Sequence, residues 1–510
     1  MSGASAIELR KINKKFGPVH ANRDIDLVVR KGSIHGIIGE NGAGKSTLMS
    51  ILYGFYQADS GQILIDGKEV TIQDSKSAIS QGIGMVHQHF MLVDNFTVLE
   101  NVILGAEGGG LLAGGVTKAR QEMHRLATDY ELKVDPDAVI EDLPVGLQQR
   151  VEILKALFRR AEILILDEPT GVLTPSEADH LFKILEALKN EGKTIILITH
   201  KLREIMAVTD TVSVMRRGEM VATRETANTS MEELAELMVG RNVLLHVDKQ
   251  PATPGDVVLT VENLEVVDGR GVRVVKDVSL EVRAGEIVGI AGVSGNGQSQ
   301  MLEALSGIRR AKSGKMTIDG ETIDLSKDAI DPESMRARNM GHVPEDRHRM
   351  GLVNSFAEYE NAILGYHCDQ QYLNGPFLNV TGIRETALEQ IEKYDIRPPN
   401  PMLKTANFSG GNQQKIVLAR EIEKDPSVLL VGQPTRGVDI GAIEFIHKRL
   451  VELRDAGKGI LLVSVELDEI RSLADRVLVM FDGAIVAERS PDADEGDLGL
   501  CMAGVDGGSK

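Results

Sequence analysis

The stretch Gly39-Glu40-Asn41-Gly42-Ala43-Gly44-Lys45-Ser46 constrains the fold of this 510-residue chain more than any other part of it. It fits G-x-x-x-x-G-K-[ST], a loop whose backbone N–H groups wrap phosphate oxygens. Such a loop belongs between a strand end and a helix N-terminus, where amides and the helix dipole face the anion. Both flanks are legible. Residues 34–38 are mostly apolar and read as a buried parallel strand, and the run from Thr47 onward reads as a helix. Lys45 can reach β- and γ-phosphates, and the Ser46 hydroxyl can hold Mg2+.

The rest of the first half alternates apolar strands with helical patterns, as α/β domains do. Strands are expected over 7–16, 23–29, 83–86, 161–166 and 194–198. The fourth runs into Asp167-Glu168 and the fifth into Thr199-His200. A carboxylate at a strand end can hold Mg2+, and the next can polarise a nucleophilic water. Thr97 and Glu100 make a capping box that opens a helix over 101–105. Gly108, Gly109, Gly110, Gly114 and Gly115 read as a loop before a helix near 118–130. The acidic run 492–497 reads as a solvated loop.

After a polar, proline-containing stretch, the chain repeats itself. DIDLVVRKGSIHGIIGENGAGKS from Asp24 aligns with DVSLEVRAGEIVGIAGVSGNGQS from Asp277, 253 residues further on. The expected plan is a first domain over 1–245, a linker over 246–256 and a second domain over 257–510, a tandem duplication.

The copies have lost different things. The first has Lys45, Gln88, Asp167, Glu168 and His200; the second has Gln298, Glu345, Gly432, Gln433 and Val465 in their places. Phe16, suited to stacking on an adenine ring, has no aromatic counterpart near Gly269. The second copy keeps Gly292, Gly295, Gly297 and Ser299 in its loop, so it could hold nucleotide without hydrolysing it. One motif runs the other way. Ser409-Gly410-Gly411 opens a helix in the second copy, a further amide-rich helix start suited to phosphate oxygens. The first copy has Pro144 there, which removes the serine hydroxyl and a backbone N–H. The losses are complementary. The simplest account is one shared site in which Lys45, Asp167 and His200 face Ser409 to Gly411.

Composition narrows the classes. Net charge is −18, which argues against a nucleic-acid partner, since such surfaces cluster Lys and Arg. Two distant cysteines, Cys368 and Cys501, imply no disulfide framework. The N-terminus lacks the apolar core of a signal peptide, and no stretch approaches the ~18 apolar residues of a membrane span. A membrane role would need a partner.

The order P-loop, Gln88, LPVGLQQ or FSGGNQQ, ILILDEPT and ITH resembles the ATP-binding-cassette ATPases over nearly the whole chain. The two-copy form, with VPEDR and QPTRGVDIGA in the second half, looks like the ATPases of simple-sugar and nucleoside importers; IGMVHQHF leans toward the nucleoside branch. The resemblance implies an α/β fold of two tandem P-loop NTPase domains, each with a RecA-like core, an antiparallel β subdomain and a helical subdomain. It implies that Phe16 and Gly39 to Thr47, with Ser409, Gly410, Gly411 and Asp439, bind ATP. Thr174 stands where Asp439 has its counterpart. Ser46, Gln88 and Asp167 would hold Mg2+, Glu168 would be the general base, and His200 and Gln88 would contact the γ-phosphate end. The site built from Gln298, Gly432, Gln433 and Pro144 should hydrolyse slowly or not at all. Expected partners are two integral-membrane permease subunits and, through them, an extracytoplasmic solute-binding protein, with this chain on the cytoplasmic face of the membrane. A soluble twin-cassette factor acting on ribosomes or DNA is the rival, disfavoured by the acidic charge, the short linker and the degraded second site. A small-molecule P-loop kinase is a second rival, disfavoured by the Ser-Gly-Gly turn and the duplication.

Overall fold

Strands buried on both faces read as continuous apolar runs, and such strands belong inside parallel sheets. The computed structural model describes residues 4–17, 19–87, 90–105, 112–170, 173, 175–241, 249–293, 295–328 and 330–505. The chain divides into two compact units, Met1–Val243 and Leu244–Lys510.

In unit one the runs form a six-stranded sheet ordered Glu219–Glu225, Thr211–Arg216, Ile34–Gly39, Thr194–Ile198, Ile163–Asp167, Ile83–Val86. Neighbours are parallel except for the outer hairpin of the first two. Ile198 pairs with both Ile37 and Asp167. The register therefore brings Gly39, Asp167-Glu168 and Thr199-His200 to the same carboxyl-end edge, where α/β sheets bind their ligands. A second, antiparallel sheet runs Val19–Arg30, Ser5–Phe16, Ser60–Ile65, Lys68–Val70. Its inward residues Ile7, Leu9 and Ile12 share one core with Ile37, Leu48 and Ile196. Helices Val98–Ile103, Leu112–Asp129 and Val145–Phe158 pack on one another as a helical layer.

Unit two repeats this topology. Its six-stranded sheet runs Met340–Val343, Val428–Gly432, Gly459–Ser464, Ile287–Ala291, Arg476–Phe481, Ala484–Arg489. Its antiparallel sheet runs Arg273–Arg283, Val257–Val267, Ser313–Ile318, Glu321–Asp324. Among the described residues no helix is long and apolar enough to cross a membrane.

Three expectations are corrected. The helix after Thr97 starts at Val98 rather than 101, because the cap and Glu100 bond each other's backbone N–H groups from the first turn. Gly114 and Gly115 lie within helix Leu112–Asp129. Packing of that helix on Val145–Phe158 overrides a propensity cost of about 1 kcal/mol per glycine. Gly108 to Gly110 lie outside the described residues. The acidic run is a loop only as far as Asp494, which accepts from the N–H groups of Gly496 and Asp497 and caps helix Glu495–Met502, whose acidic first turn suits the dipole. The linker stretch is irregular over 249–256 but anchored on unit two. Lys249 Nζ donates to the carbonyls of Leu473 (2.9 Å) and Ala474 (2.6 Å), and Arg454 donates to that of Gln250 (2.9 Å).

Candidate functional site

The phosphate loop follows the buried strand Ile34–Gly39 and turns into helix Lys45–Leu52 through Gly44, which has φ 99°. A Cβ on Gly44 would lie 2.2 Å from the Ala21 carbonyl oxygen, so only glycine fits. The loop is also held from outside. Asn22, fully buried, donates from Nδ2 to the Gly44 carbonyl at 3.0 Å, and the Ala43 carbonyl accepts from Gly218 N at 3.1 Å. Neither residue belongs to a local motif; only the fold brings them to the loop. Lys45 is 6% exposed and folds back to donate to the carbonyls of Gly39 (2.6 Å) and Glu40 (3.1 Å). Burial pushes its pKa down, against the charges of Glu168, Asp167 and Glu40. Asn41, Gly42 and Ser46 are exposed, and Thr47 is half-buried behind them.

Asp167 ends its strand almost wholly buried. Burial, then the neighbouring Glu168 charge, pushes its carboxyl up; hydrogen bonding from Ser46 and the Lys45 charge oppose this. Glu168 has φ +47°, in the left-handed region, with its N–H donating to Ile198 O at 2.8 Å. That conformation costs a non-glycine residue roughly 1 kcal/mol and turns the carboxylate off the strand toward His200, whose Nδ1 lies 2.9 Å from Oε1. Burial alone would raise the Glu168 pKa. The hydrogen bond to His200, with the His200, Lys45 and Lys201 charges, outweighs burial and holds it below the ordinary value. Two supports escaped sequence reasoning. The Thr170 hydroxyl bonds the buried Glu204, and Gln149 Nε2 donates to Pro169 O at 2.5 Å, bracing the turn after Glu168. Their one signal is position, close in sequence to the strand ends or the Pro144 helix.

A hydroxyl beside a buried carboxylate suits a hard, oxygen-seeking cation such as Mg2+. Among the described residues no group of three or more His, Cys, Asp or Glu could hold a metal alone, so phosphate oxygens would have to complete the shell. Gln88 lies outside the described residues. Phe16 ends strand Ser5–Phe16 and is 41% exposed, edge-on to Tyr56 at 5.1 Å, with Lys14 Nζ 5.5 Å from its ring centre. Of the other histidines, His124, His348 and His367 are exposed, and His35 and His87 pack. His35 bonds Ser213 at 2.9 Å, and burial lowers its pKa to about 4; His87 lies 5.7 Å from the Tyr53 ring.

Unit two keeps the backbone frame and drops the chemistry. Gly295 and Gly297 retain positive φ, and helix Gln298–Leu305 follows. Gln433 keeps φ +46° and the bond from its N–H to Val463 O at 2.8 Å, the turn that Glu168 makes. Val465 offers no ring nitrogen. Gly432 ends its strand beside Glu345, whose carboxylate accepts from Ser299 Oγ. Burial raises the Glu345 pKa, and the Ser299 hydrogen bond opposes it.

Ser409 caps helix Gly410–Ile422 through its hydroxyl, accepting from Asn412 N. Asp439 caps helix Ile440–Asp455 and lies against Gly411, while Arg347 lies against Gly410 and donates to the Arg436 carbonyl at 2.7 Å. In unit one Pro144 caps helix Val145–Phe158 with no side-chain hydrogen bond. There Glu177 Oε1 comes within 2.4 Å of where a Cβ on Gly146 would stand, as Asp439 Oδ2 comes within 2.7 Å of the same point on Gly411 in unit two. Thr174 lies outside the described residues.

A phosphate loop on a parallel sheet, with strand-end carboxylates in unit one and a serine-capped Gly-Gly helix start in unit two, marks the ATP-binding-cassette fold, here present twice. The ABC transporter family model matches residues 22–171 and 275–436, more than half of the chain. The chain belongs to that family, whose cassettes bind and hydrolyse ATP. It is 46% identical to the nucleoside import ATP-binding protein NupA of Lactococcus lactis, over 99% of each chain. It is 48% identical to the guanosine import ATP-binding protein NupO of Bacillus subtilis, over 98% of this chain and 97% of that one. It is 44% identical to the glucose import ATP-binding protein TsgD13 of Haloferax volcanii, over 98% and 96%. In fold alone it matches the archaeal ribosome recycling factor aABCE1 in its complex with stalk protein aP1. That match has TM-score 0.62 and 18% identity, over 94% of this chain and 90% of that one.

Proposed function

We propose that this chain is the energy-coupling ATPase of a nucleoside importer. The observation that carries the ATPase part of this is the division of chemistry: Lys45, Asp167, Glu168 and His200 all lie in unit one, and the serine-capped Gly-Gly turn lies in unit two. Hydrolysis then draws on both units. Lys45 and the loop amides neutralise the β- and γ-phosphate oxygens. Ser46 and Asp167, with Gln88, would hold Mg2+, which would supply charge neutralisation on those oxygens. Glu168 accepts a proton from the attacking water, oriented by His200, which also contacts the γ-phosphate. Ser409, Gly410 and Gly411, with Asp439 beside them, contribute hydroxyl and amide donors to the same phosphate. Phe16 stacks on the adenine.

The chain sits on the cytoplasmic face of the membrane, bound to two permease subunits, and an extracytoplasmic binding protein delivers cargo to them. Cargo does not touch this chain, so the nucleoside reading rests on whole-length similarity to the nucleoside and guanosine import proteins. Similarity to the glucose import protein favours a sugar as the second reading. Uptake of labelled nucleosides and sugars is measured in cells lacking the protein and in cells given it back intact or as Lys45→Ala. Loss of nucleoside uptake restored only by the intact chain is the expected result. Loss of sugar uptake alone reassigns the cargo, and no change in either overturns the importer reading.

A further inference from the structure

We infer that Arg347 is a positioning residue for ATP hydrolysis: its guanidinium ties the Ser409-Gly410-Gly411 turn to the loop from Arg436 to Asp439, so that both are presented to the γ-phosphate in one fixed geometry. Arg347 ends the VPEDR stretch that follows strand Met340–Val343. This segment is longer in unit two than in unit one. Val93 and Val353 mark its end, because the N–H of each donates at 2.8 Å to an asparagine Oδ1, that of Asn101 and that of Asn361. Seven positions separate Val86 from Val93, and ten separate Val343 from Val353. The extra length is taken up by a π-turn over Arg347–Gly351, capped by Asp346 and closed by Leu352 N donating to Arg347 O at 2.8 Å. Such turns are rare and recur at functional sites. Residues 87–93 of unit one contain no Arg or Lys, and unit one is the copy whose turn carries Pro144.

The guanidinium lies between the two segments. Nη1 donates to Arg436 O at 2.7 Å and Nη2 to Gly437 O at 3.4 Å. A Cβ on Gly410 would lie 2.7 Å from Nη2 and 2.8 Å from Gly437 O, so glycine there lets guanidinium and loop approach the helix start. The far end of the loop meets the same turn through Asp439, whose Oδ2 lies against Gly411. Loop and turn are thus joined at both ends. A cation placed here is costly by itself. The dipole of helix Gly410–Ile422 disfavours positive charge at its start. Arg347 Nε is buried with no hydrogen-bond partner among the described residues, and burial lowers the pKa of the group. An anion at the turn relieves the charge cost; a purely structural role leaves it standing. Lysine would keep the charge but not the rigid planar fork that sets the spacing of the two carbonyls.

The inference rests on reading the Ser409 turn as serving the nucleotide of unit one, and the test separates the two. Steady-state ATP hydrolysis by the full-length chain is measured for Arg347→Ala, Arg347→Lys, Ser409→Ala and the double variant Arg347→Ala, Ser409→Ala. Fluorescent-nucleotide titrations and thermal melts run in parallel. Arg347→Ala is expected to lower kcat about 10-fold, as loss of orientation does, with nucleotide affinity and melting temperature of the parent. Arg347→Lys is expected to be slowed as well, and it carries the test if the alanine variant melts early. The double variant should be no slower than the slower single variant, because both residues act through one turn. A merely structural arginine gives costs that multiply. Parental hydrolysis in Arg347→Lys, a nucleotide affinity that falls in step with the rate, or multiplying costs overturns the inference. If Ser409→Ala hydrolyses at the parental rate, the shared-site reading fails and the inference with it. If Ser409→Ala is slowed and the Arg347 variants are not, the inference alone fails.

Discussion

Glu168 and Gln433 share one backbone conformation and differ in a single side-chain atom, oxygen against nitrogen. The difference removes the capacity to accept a proton. Glu168→Gln in unit one is therefore expected to keep ATP binding and to slow single-turnover hydrolysis by about 10²- to 10⁴-fold. Rapid-quench measurement checks it, and an unchanged rate removes Glu168 from the role of base. Glu358 makes a separate residue-scale case. It is fully buried in helix Glu358–Asn361, and neither carboxylate oxygen has a hydrogen-bond partner. Burial pushes its pKa up from 4.5 to about 8. The folded state thus binds the proton more tightly than the unfolded chain. This stabilisation is complete below the unfolded value, erodes as pH rises, and is lost beyond about pH 8. Glu358→Gln should melt at higher temperature than the parent at about pH 9 and show a flatter melting profile from acid to alkaline pH. Parallel profiles for the two proteins would contradict the assignment.

At the scale of elements, the phosphate loop separates two kinds of glycine requirement. Gly42 has φ 81° but open space where a Cβ would stand, whereas Gly44 has φ 99° and a backbone carbonyl 2.2 Å from that position. Gly42→Ala is expected to cost about 1 kcal/mol of stability. Gly44→Ala must displace the Ala21 carbonyl or the loop itself, and is expected to weaken nucleotide binding at least ~10-fold. Fluorescent-nucleotide titration with parallel melts distinguishes them. This loop was legible from its letters, as were the Thr97 capping box and the strand-end carboxylates, because each is set by bonds among residues close in sequence. Asn22, which holds the Gly44 carbonyl, was not legible, since it reaches the loop only after the antiparallel sheet has formed. The acidic run 492–497 misled for a related reason: charge suggests solvation, but Asp494 uses its charge on backbone amides.

For the whole molecule, the division of chemistry between two units predicts dependence across the chain. Ser409→Arg, in unit two, is expected to abolish steady-state ATP hydrolysis by unit-one residues that it leaves chemically intact, with nucleotide binding to the unit-one loop retained. Retained turnover would show that unit one works alone. Duplication, unequal decay and family membership were all determined by the sequence, because an internal repeat exposes each substitution beside its own counterpart. Only the tertiary structure decided what replaced the losses. That Gly432 lies against Glu345, that Glu177 lies against Gly146, and that Glu358 is sealed from water each depend on residues brought together from distant stretches. No local pattern encodes those distances; the packing of strands and helices sets them.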